Sequence, residues 1–86
     1  MTQQVQSTKD QIREFVKEAA QRKGVNDVTD TLSLVQSGVI DSLGIFRLVS
    51  FLEENCKVRI ADEEIVGENF ETINDIDRFV TTKLSK

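Results

Sequence analysis

Apolar residues recur at helical spacing in three segments of this chain, and that pattern limits the possible folds more than any other feature. Within residues 12–19 they follow the i, i+3, i+4, i+7 order of one helix face. Comparable spacing returns over residues 45–56 and 73–84. No segment alternates apolar and polar residues in the way that predicts a strand. The sequence therefore predicts an all-α protein.

Capping residues set the expected boundaries of the helices. Ser7 followed by Asp10 is an approximate capping signal for a helix start, and Gly24 is a natural C-terminal stop. Residues 1–6 are expected to be a loose polar tail. The prediction is a four-helix bundle with a long loop between helices 1 and 2. Its helices are expected at about Thr8–Lys23, from Asp41 or Ser42 to Cys56, from Asp62 to a stop at Gly67 (a short third helix), and at about Thr72–Leu84.

The connection between the first two helices is long for so small a protein. It covers seventeen residues, 25–41, and is rich in Asp, Asn, Ser and Thr. Its few apolar residues are expected to hold it to the core, with a short helical turn near residues 30–34. Loops of this length inside compact domains are uncommon and are often functional.

Length limits where a function can lie. Eighty-six residues make one domain, expected to span residues 1–86, with no room for a second core. So short a chain buries only about 60–65% of the surface that its unfolded form exposes. It is too small to enclose a deep catalytic cavity. We therefore expect the function to lie on the surface or to depend on a group added to it.

Missing residue types exclude several kinds of site. The chain has no His, so a nucleophilic Ser or Cys lacks its usual activating base, and the commonest neutral metal ligand is absent. Cys56 is the only cysteine, which excludes an internal disulfide and a cysteine metal cluster and predicts a buried apolar role. We expect no catalytic residues, no metal and no enzyme activity. With no membrane span and no signal-peptide pattern at the N-terminus, the expected location is the cytoplasm.

Charge is unevenly distributed along the chain. The formal net charge is −4; residues 1–40 carry five acids and five bases, whereas residues 41–86 carry ten acids and six bases. Between Asp62 and Asp77 there are seven acids and no base. This half would repel nucleic acid and would attract a protein partner with a basic patch. The alternative is an acidic face that only contacts solvent.

The most informative stretch is residues 37–49, which contains Asp41-Ser42-Leu43 after the glycine-containing loop and at the start of an apolar helix. In this context the chain resembles the acyl carrier protein family. In that family the Ser of this tripeptide opens the second helix of a four-helix bundle and carries 4′-phosphopantetheine. Residues 60–64 and 69–73 stand where the family has its third helix and enters its fourth. The resemblance covers about residues 8–84.

The resemblance implies a non-catalytic carrier. Ser42 would receive 4′-phosphopantetheine from CoA by the action of a phosphopantetheinyl transferase, and the thiol of the arm would hold acyl groups as thioesters. Asp41 and Leu43 would help the transferase to recognise the site. The further candidates for partner recognition are Arg47, Glu53, Glu54 and Asp62. The candidates for lining an apolar acyl cleft are Ile45, Phe46, Val49, Phe70 and Ile76, for which ordinary core packing is the alternative.

Physical chemistry favours a serine at this position. A phosphate at a helix start lies beside free backbone N–H groups and the positive end of the helix dipole. The hydroxyl also lies at the end of a long loop, where a transferase can reach it. The alternative interpretation is purely structural: Asp41 and Ser42 cap the helix, and Leu43 packs in the core.

Two residues depart from the pattern of the housekeeping fatty-acid carriers. Gly44 and Arg47 stand where acids are usual in that group. The sequence resembles carriers served by a dedicated ligase, so we expect a monomeric carrier of a specialised fatty-acid, polyketide or aminoacyl pathway. Its partners would be an acyl-activating ligase, synthase or acyltransferase with a basic docking patch. The competing hypothesis is an unmodified acidic helical adaptor for protein–protein interaction.

Overall fold

A computed structural model describes residues 7–84; the predicted tail, residues 1–6, lies outside the described residues. Its elements are all helical, and residues 7–84 contain no strand. The predicted all-α fold, with its long loop between the first two helices and its short third helix, is confirmed. The elements are α1 (Thr8–Lys23), α2 (Ser42–Cys56), a 3₁₀ turn (Asp62–Glu64), α3 (Gly67–Phe70) and α4 (Ile73–Leu84).

The predicted caps are present at both ends of α1. The hydroxyl of Ser7 accepts a hydrogen bond from the N–H of Asp10 at 3.1 Å. Gly24 adopts the left-handed conformation, with φ of 72°, and its N–H donates to the carbonyl of Gln21 at 3.2 Å. Thr72 caps α4 in the same way as Ser7, since its hydroxyl accepts from the N–H of Asp75 at 3.1 Å. Local side-chain chemistry therefore sets these helix ends.

The long loop is fastened to the bundle by core residues and backbone hydrogen bonds. Leu34, Val39 and Ile40 are almost completely buried. The N–H of Leu34 donates to the carbonyl of Glu71 at 2.8 Å, and the carbonyl of Asp30 accepts from Asn74 at 3.1 Å. At the expected short helical turn near residues 30–34, the structure has a non-helical turn at residues 30 and 31. The end of the loop, which leads into α2, is thus held in a defined position.

A single core joins all the long helices to this loop. Because each fully buried aliphatic side chain contributes about 1.5–3 kcal/mol by leaving water, this cluster is the main source of stability. Its buried members are Ile12, Val16, Ala20, Leu34, Val39, Ile40, Leu48, Val49, Leu52, Cys56, Ile60, Phe70, Ile73, Ile76 and Val80.

The third helix differs from its predicted bounds. The carboxylate of Glu64 accepts from the N–H of Ala61 at 2.9 Å and closes a single 3₁₀ turn. Val66 is then extended, with φ of −123° and ψ of 159°. The chain can resume a helix only after that residue, so Gly67 begins α3 instead of ending a helix. No helix among the described residues is long and apolar enough to cross a membrane.

Candidate functional site

Ser42 is the first residue of α2 and is exposed to solvent. The preceding residue, Asp41, is the N-cap, and its Oδ1 accepts from the N–H of Gly44 at 2.8 Å. Ile40, one position earlier, is 2% exposed and anchors the chain in the core. The first N–H groups of a helix have no partner within the helix. The site therefore presents an exposed hydroxyl beside backbone donors and the positive end of the helix dipole.

Asp41 is held by two contacts. Besides the cap, its Oδ2 lies 3.2 Å from Nζ of Lys23 at the end of α1. The hydrogen bond from the Gly44 N–H and then the ammonium of Lys23 hold the pKa of the Asp41 carboxyl below its usual range. Asp41 is therefore a carboxylate at neutral pH, directly next to the exposed serine.

Leu43 projects into solvent. It is 61% exposed, so the interpretation that it packs in the core is wrong. Phe46, one helical turn further on, is 59% exposed. Leu43 and Phe46, three residues apart on α2, therefore place two large apolar side chains in contact with solvent beside Ser42.

An open apolar groove begins beside the first turn of α2. It has a volume of about 350 Å³, and Ile45, Ile65, Val66 and Phe70 supply apolar lining. Loop residue Val35 adds to this lining, as one side chain that the predicted cleft omitted. The volume lies at the lower end of the range for small-molecule pockets, about 300–1,000 Å³. The arrangement can shelter a short apolar chain.

The five predicted cleft residues separate into three groups. Ile45 and Phe70 line the groove together. Val49 and Ile76 lie in the bundle core, at 7% and 0% exposure. Phe46 is exposed and lies outside the lining of the groove.

The residues predicted to contact partners are also placed differently from one another. Arg47 and Glu54 are exposed on α2, and Asp62 is exposed at the start of the 3₁₀ turn. Glu53 is half-buried, and its Oε2 accepts from the N–H of Ile60 at 2.9 Å. The carboxylate of Glu53 thus fixes the chain after α2.

Besides the groove residues Val35, Ile65 and Val66, one charged contributor to the site is absent from the sequence-based prediction. Lys23 pairs with Asp41 across 18 positions of sequence. No local pattern connects the two residues, because only the folding of α1 against the loop brings them together. The one sequence feature that could indicate this contact is the position of Lys23 immediately before the helix stop at Gly24.

The described site lacks the groups that usually activate a serine or bind a metal ion. The chain has no His to activate the Ser42 hydroxyl. Among residues 7–84, no His, Cys, Asp and Glu side chains cluster in a way that could hold a metal ion. Cys56 is buried in α2, and burial raises the pKa of its thiol, which makes it a poor nucleophile.

Comparison with known proteins points to one group. No family model matches the chain, and no curated protein matches it. Among solved structures, the chain is similar to an acyl carrier protein from Thermotoga maritima, with a TM-score of 0.62 and 30% sequence identity. The similarity covers 86% of this chain and 86% of that protein.

Proposed function

This chain belongs to the acyl carrier protein family, and on that premise we propose that Ser42 carries 4′-phosphopantetheine and presents acyl groups to partner enzymes. The arm would come from CoA. In that transfer the Ser42 oxygen forms a bond to phosphorus, the pyrophosphate bond of CoA breaks, and adenosine 3′,5′-bisphosphate leaves. The serine proton passes to the transferase. The thiol of the arm then supplies the sulfur for a thioester.

The exposure of Ser42 at the first position of α2 is the observation that carries this proposal. A phosphodiester on its oxygen would lie beside the free donors of the first helical turn. Asp41 and the exposed Leu43 flank it, one as a fixed carboxylate and the other as an apolar contact for the transferase. These residues therefore fit the group that the family carries.

The cargo that we propose is a short or medium acyl chain. The groove beside Ile45 and Phe70 is lined largely by apolar side chains, and Ile45 lies one turn of α2 after Ser42. A carrier of a specialised fatty-acid, polyketide or aminoacyl pathway fits the absence of an acid at positions 44 and 47. The partners would be a phosphopantetheinyl transferase and an acyl-activating ligase, synthase or acyltransferase. Monomeric state and cytoplasmic location stay predictions.

Loading in vitro tests the proposal. The purified protein is incubated with CoA, Mg²⁺ and a broad-specificity phosphopantetheinyl transferase, and its intact mass is measured. We expect a gain of one phosphopantetheine, which Ser42→Ala abolishes. Ser50→Ala is the matched control, because Ser50 is also an exposed serine on α2 and should not affect loading.

The competing hypothesis makes the opposite prediction. An unmodified helical adaptor gains no mass with any of several transferases, although it keeps its helical circular dichroism spectrum. A mass gain that persists in Ser42→Ala would place the group on another residue and would equally contradict the proposal.

A further inference from the structure

The surface next to Ser42 combines exposed apolar side chains with a cation. Leu43 and Phe46 are the two most exposed large apolar residues in the described part of the chain, at 61% and 59%. Phe46 lies one helical turn after Ser42, and Arg47 lies one turn after Leu43, so the four residues share one side of α2. Arg47 is also exposed. This is an unusual composition for a surface that only contacts water.

The end of α1 adds two more bases to this surface. A groove of about 150 Å³ separates α1 from the start of α2, and its charged residues are Arg22, Lys23, Arg47 and a single acid, Asp41. Lys23 and Asp41 pair with each other at 3.2 Å. Within residues 7–84, neither Arg22 nor Arg47 takes part in an ion pair. We call Arg22, Leu43, Phe46 and Arg47 the basic apolar face.

The acids of α2 do not neutralise the basic apolar face. Glu53 is hydrogen-bonded to the backbone of Ile60. Glu54 lies seven residues after Arg47, about 10 Å along a helix axis, and forms no ion pair with it. The positive charge of the two arginines is therefore available to a partner.

We propose that the basic apolar face docks a partner enzyme whose contact surface is an apolar pocket bordered by carboxylates. Two side chains, Leu43 and Phe46, would enter the pocket. Guanidinium groups match carboxylates with two parallel hydrogen bonds, and aromatic residues and Arg are the side chains most enriched at protein interfaces. A basic patch would instead meet two unpaired guanidinium groups and be repelled. At this face, a carboxylate-bearing partner replaces the basic patch expected from the overall acidity.

This inference rests on the proposed function, because the partner is taken to be an enzyme that loads or processes the arm on Ser42. Its charge preference can nevertheless be tested on the unmodified protein. Two helical peptides with the same apolar side chains serve as probes. In the first peptide these side chains are flanked by Glu, and in the second they are flanked by Lys. Each is titrated into the ¹⁵N-labelled full-length chain, and amide shifts are followed by NMR.

We expect the Glu peptide to shift the amides of residues 43, 46 and 47, with an affinity that falls as salt is added. The double variant Arg22→Gln, Arg47→Gln should weaken binding roughly tenfold, or about 1.4 kcal/mol. Arg59→Gln is the matched control, since Arg59 is an exposed arginine beyond the other end of α2. Circular dichroism of each variant checks that it is folded.

Three results would overturn the inference: equal or tighter binding of the Lys peptide at these residues, no shift with the Glu peptide, or the same shifts with inorganic phosphate alone. The last would indicate a simple anion site. The two proposals fail in distinguishable ways. If the protein binds the Glu peptide but gains no mass with the transferase, the proposed carrier function is wrong and the docking face stands. If the protein gains the phosphopantetheine mass but does not bind the Glu peptide, only this inference is refuted.

Discussion

Asp41 connects the structure of the site to its proposed recognition. One carboxylate oxygen caps α2 through the Gly44 N–H, and the other pairs with Lys23. The cap needs only an acceptor oxygen, whereas the pair with Lys23 and the proposed recognition by a transferase need a negative charge. A single substitution can therefore separate the two roles.

Asp41→Asn should keep the helix and impair loading. The amide oxygen of Asn can still accept from the Gly44 N–H, but the charge that faces the transferase is lost. We expect an unchanged circular dichroism spectrum and a loading rate lower by roughly tenfold or more, as for the loss of one charge-assisted contact. Asp27→Asn, at an exposed acid of the long loop, is the control. Full-rate loading of Asp41→Asn would show that the charge has no part in recognition.

At the scale of the elements, packing at the first turn of α2 explains why position 44 is glycine, although helix propensity disfavours glycine. A Cβ at position 44 would lie 3.1 Å from Cγ2 of Ile40 and 3.3 Å from Oδ1 of Asp41. Ile40 is buried and Asp41 is the cap, so neither can move without cost. Gly44 thus makes room for the residues that hold Ser42 in place.

Replacing Gly by Ala in a helix interior normally raises stability by about 1 kcal/mol. We expect Gly44→Ala not to show this increase. Gly67→Ala is the comparison, because nothing lies within 4 Å of its added Cβ and its φ is not positive. We expect Gly67→Ala to stabilise by about 0.4–1 kcal/mol and Gly44→Ala to be neutral or destabilising. Urea unfolding measures both. Equal stabilisation by the two changes would contradict the account.

Two leucines should show that the loop, not the exposed side of α2, supports the fold. Leu34 lies in the loop and is 0% exposed, whereas Leu43 lies in a helix and is 61% exposed. Leu34→Ala should cost about 2–5 kcal/mol of unfolding free energy. Leu43→Ala should change it by less than about 0.5 kcal/mol. If thermal and urea unfolding gave the two variants the same loss of stability, the loop would not be part of the core.

At the scale of the whole molecule, ion pairs hold the loop to α1. Arg13 donates to both carboxylate oxygens of Asp30, from Nε at 3.0 Å and Nη2 at 2.6 Å, and Lys9 lies 3.6 Å from the same group. The hydrogen bonds from Arg13, and then the charges of Arg13 and Lys9, hold the pKa of Asp30 below its usual range. This contact links elements that are distant in sequence.

The lowered pKa of Asp30 predicts a specific loss of stability in acid. A carboxyl whose native pKa is below its unfolded value, about 3.9 for Asp, contributes its full stabilisation above that value. The contribution is lost as pH falls through the lower native pKa. Urea midpoints should therefore fall between pH 5 and pH 2, and Asp30→Asn should reduce that fall while lowering stability at pH 7. An identical fall in the variant would rule out this contribution.

The sequence predicted most helix ends that neighbouring residues set, but it missed the local break at Val66 and the contacts between distant residues. The bounds of α1 follow from Ser7 and Gly24, which act within one turn. The pairing of Lys23 with Asp41 was not predictable, because it depends on how α1 packs against the loop. The exposure of Phe46 was missed for a related reason. Its helix is apolar over more than one face, and only the packed bundle decides which side contacts water.

The mass of the protein purified from the organism that makes it tests the central claim most directly. Intact mass spectrometry weighs the arm and any cargo together, and fragmentation of the peptide that contains Ser42 locates them. The account predicts a mass that exceeds the sequence by one phosphopantetheine, with or without an acyl group, attached at Ser42. A protein that carries no added group in its own cell, or carries it on a different residue, would contradict the account.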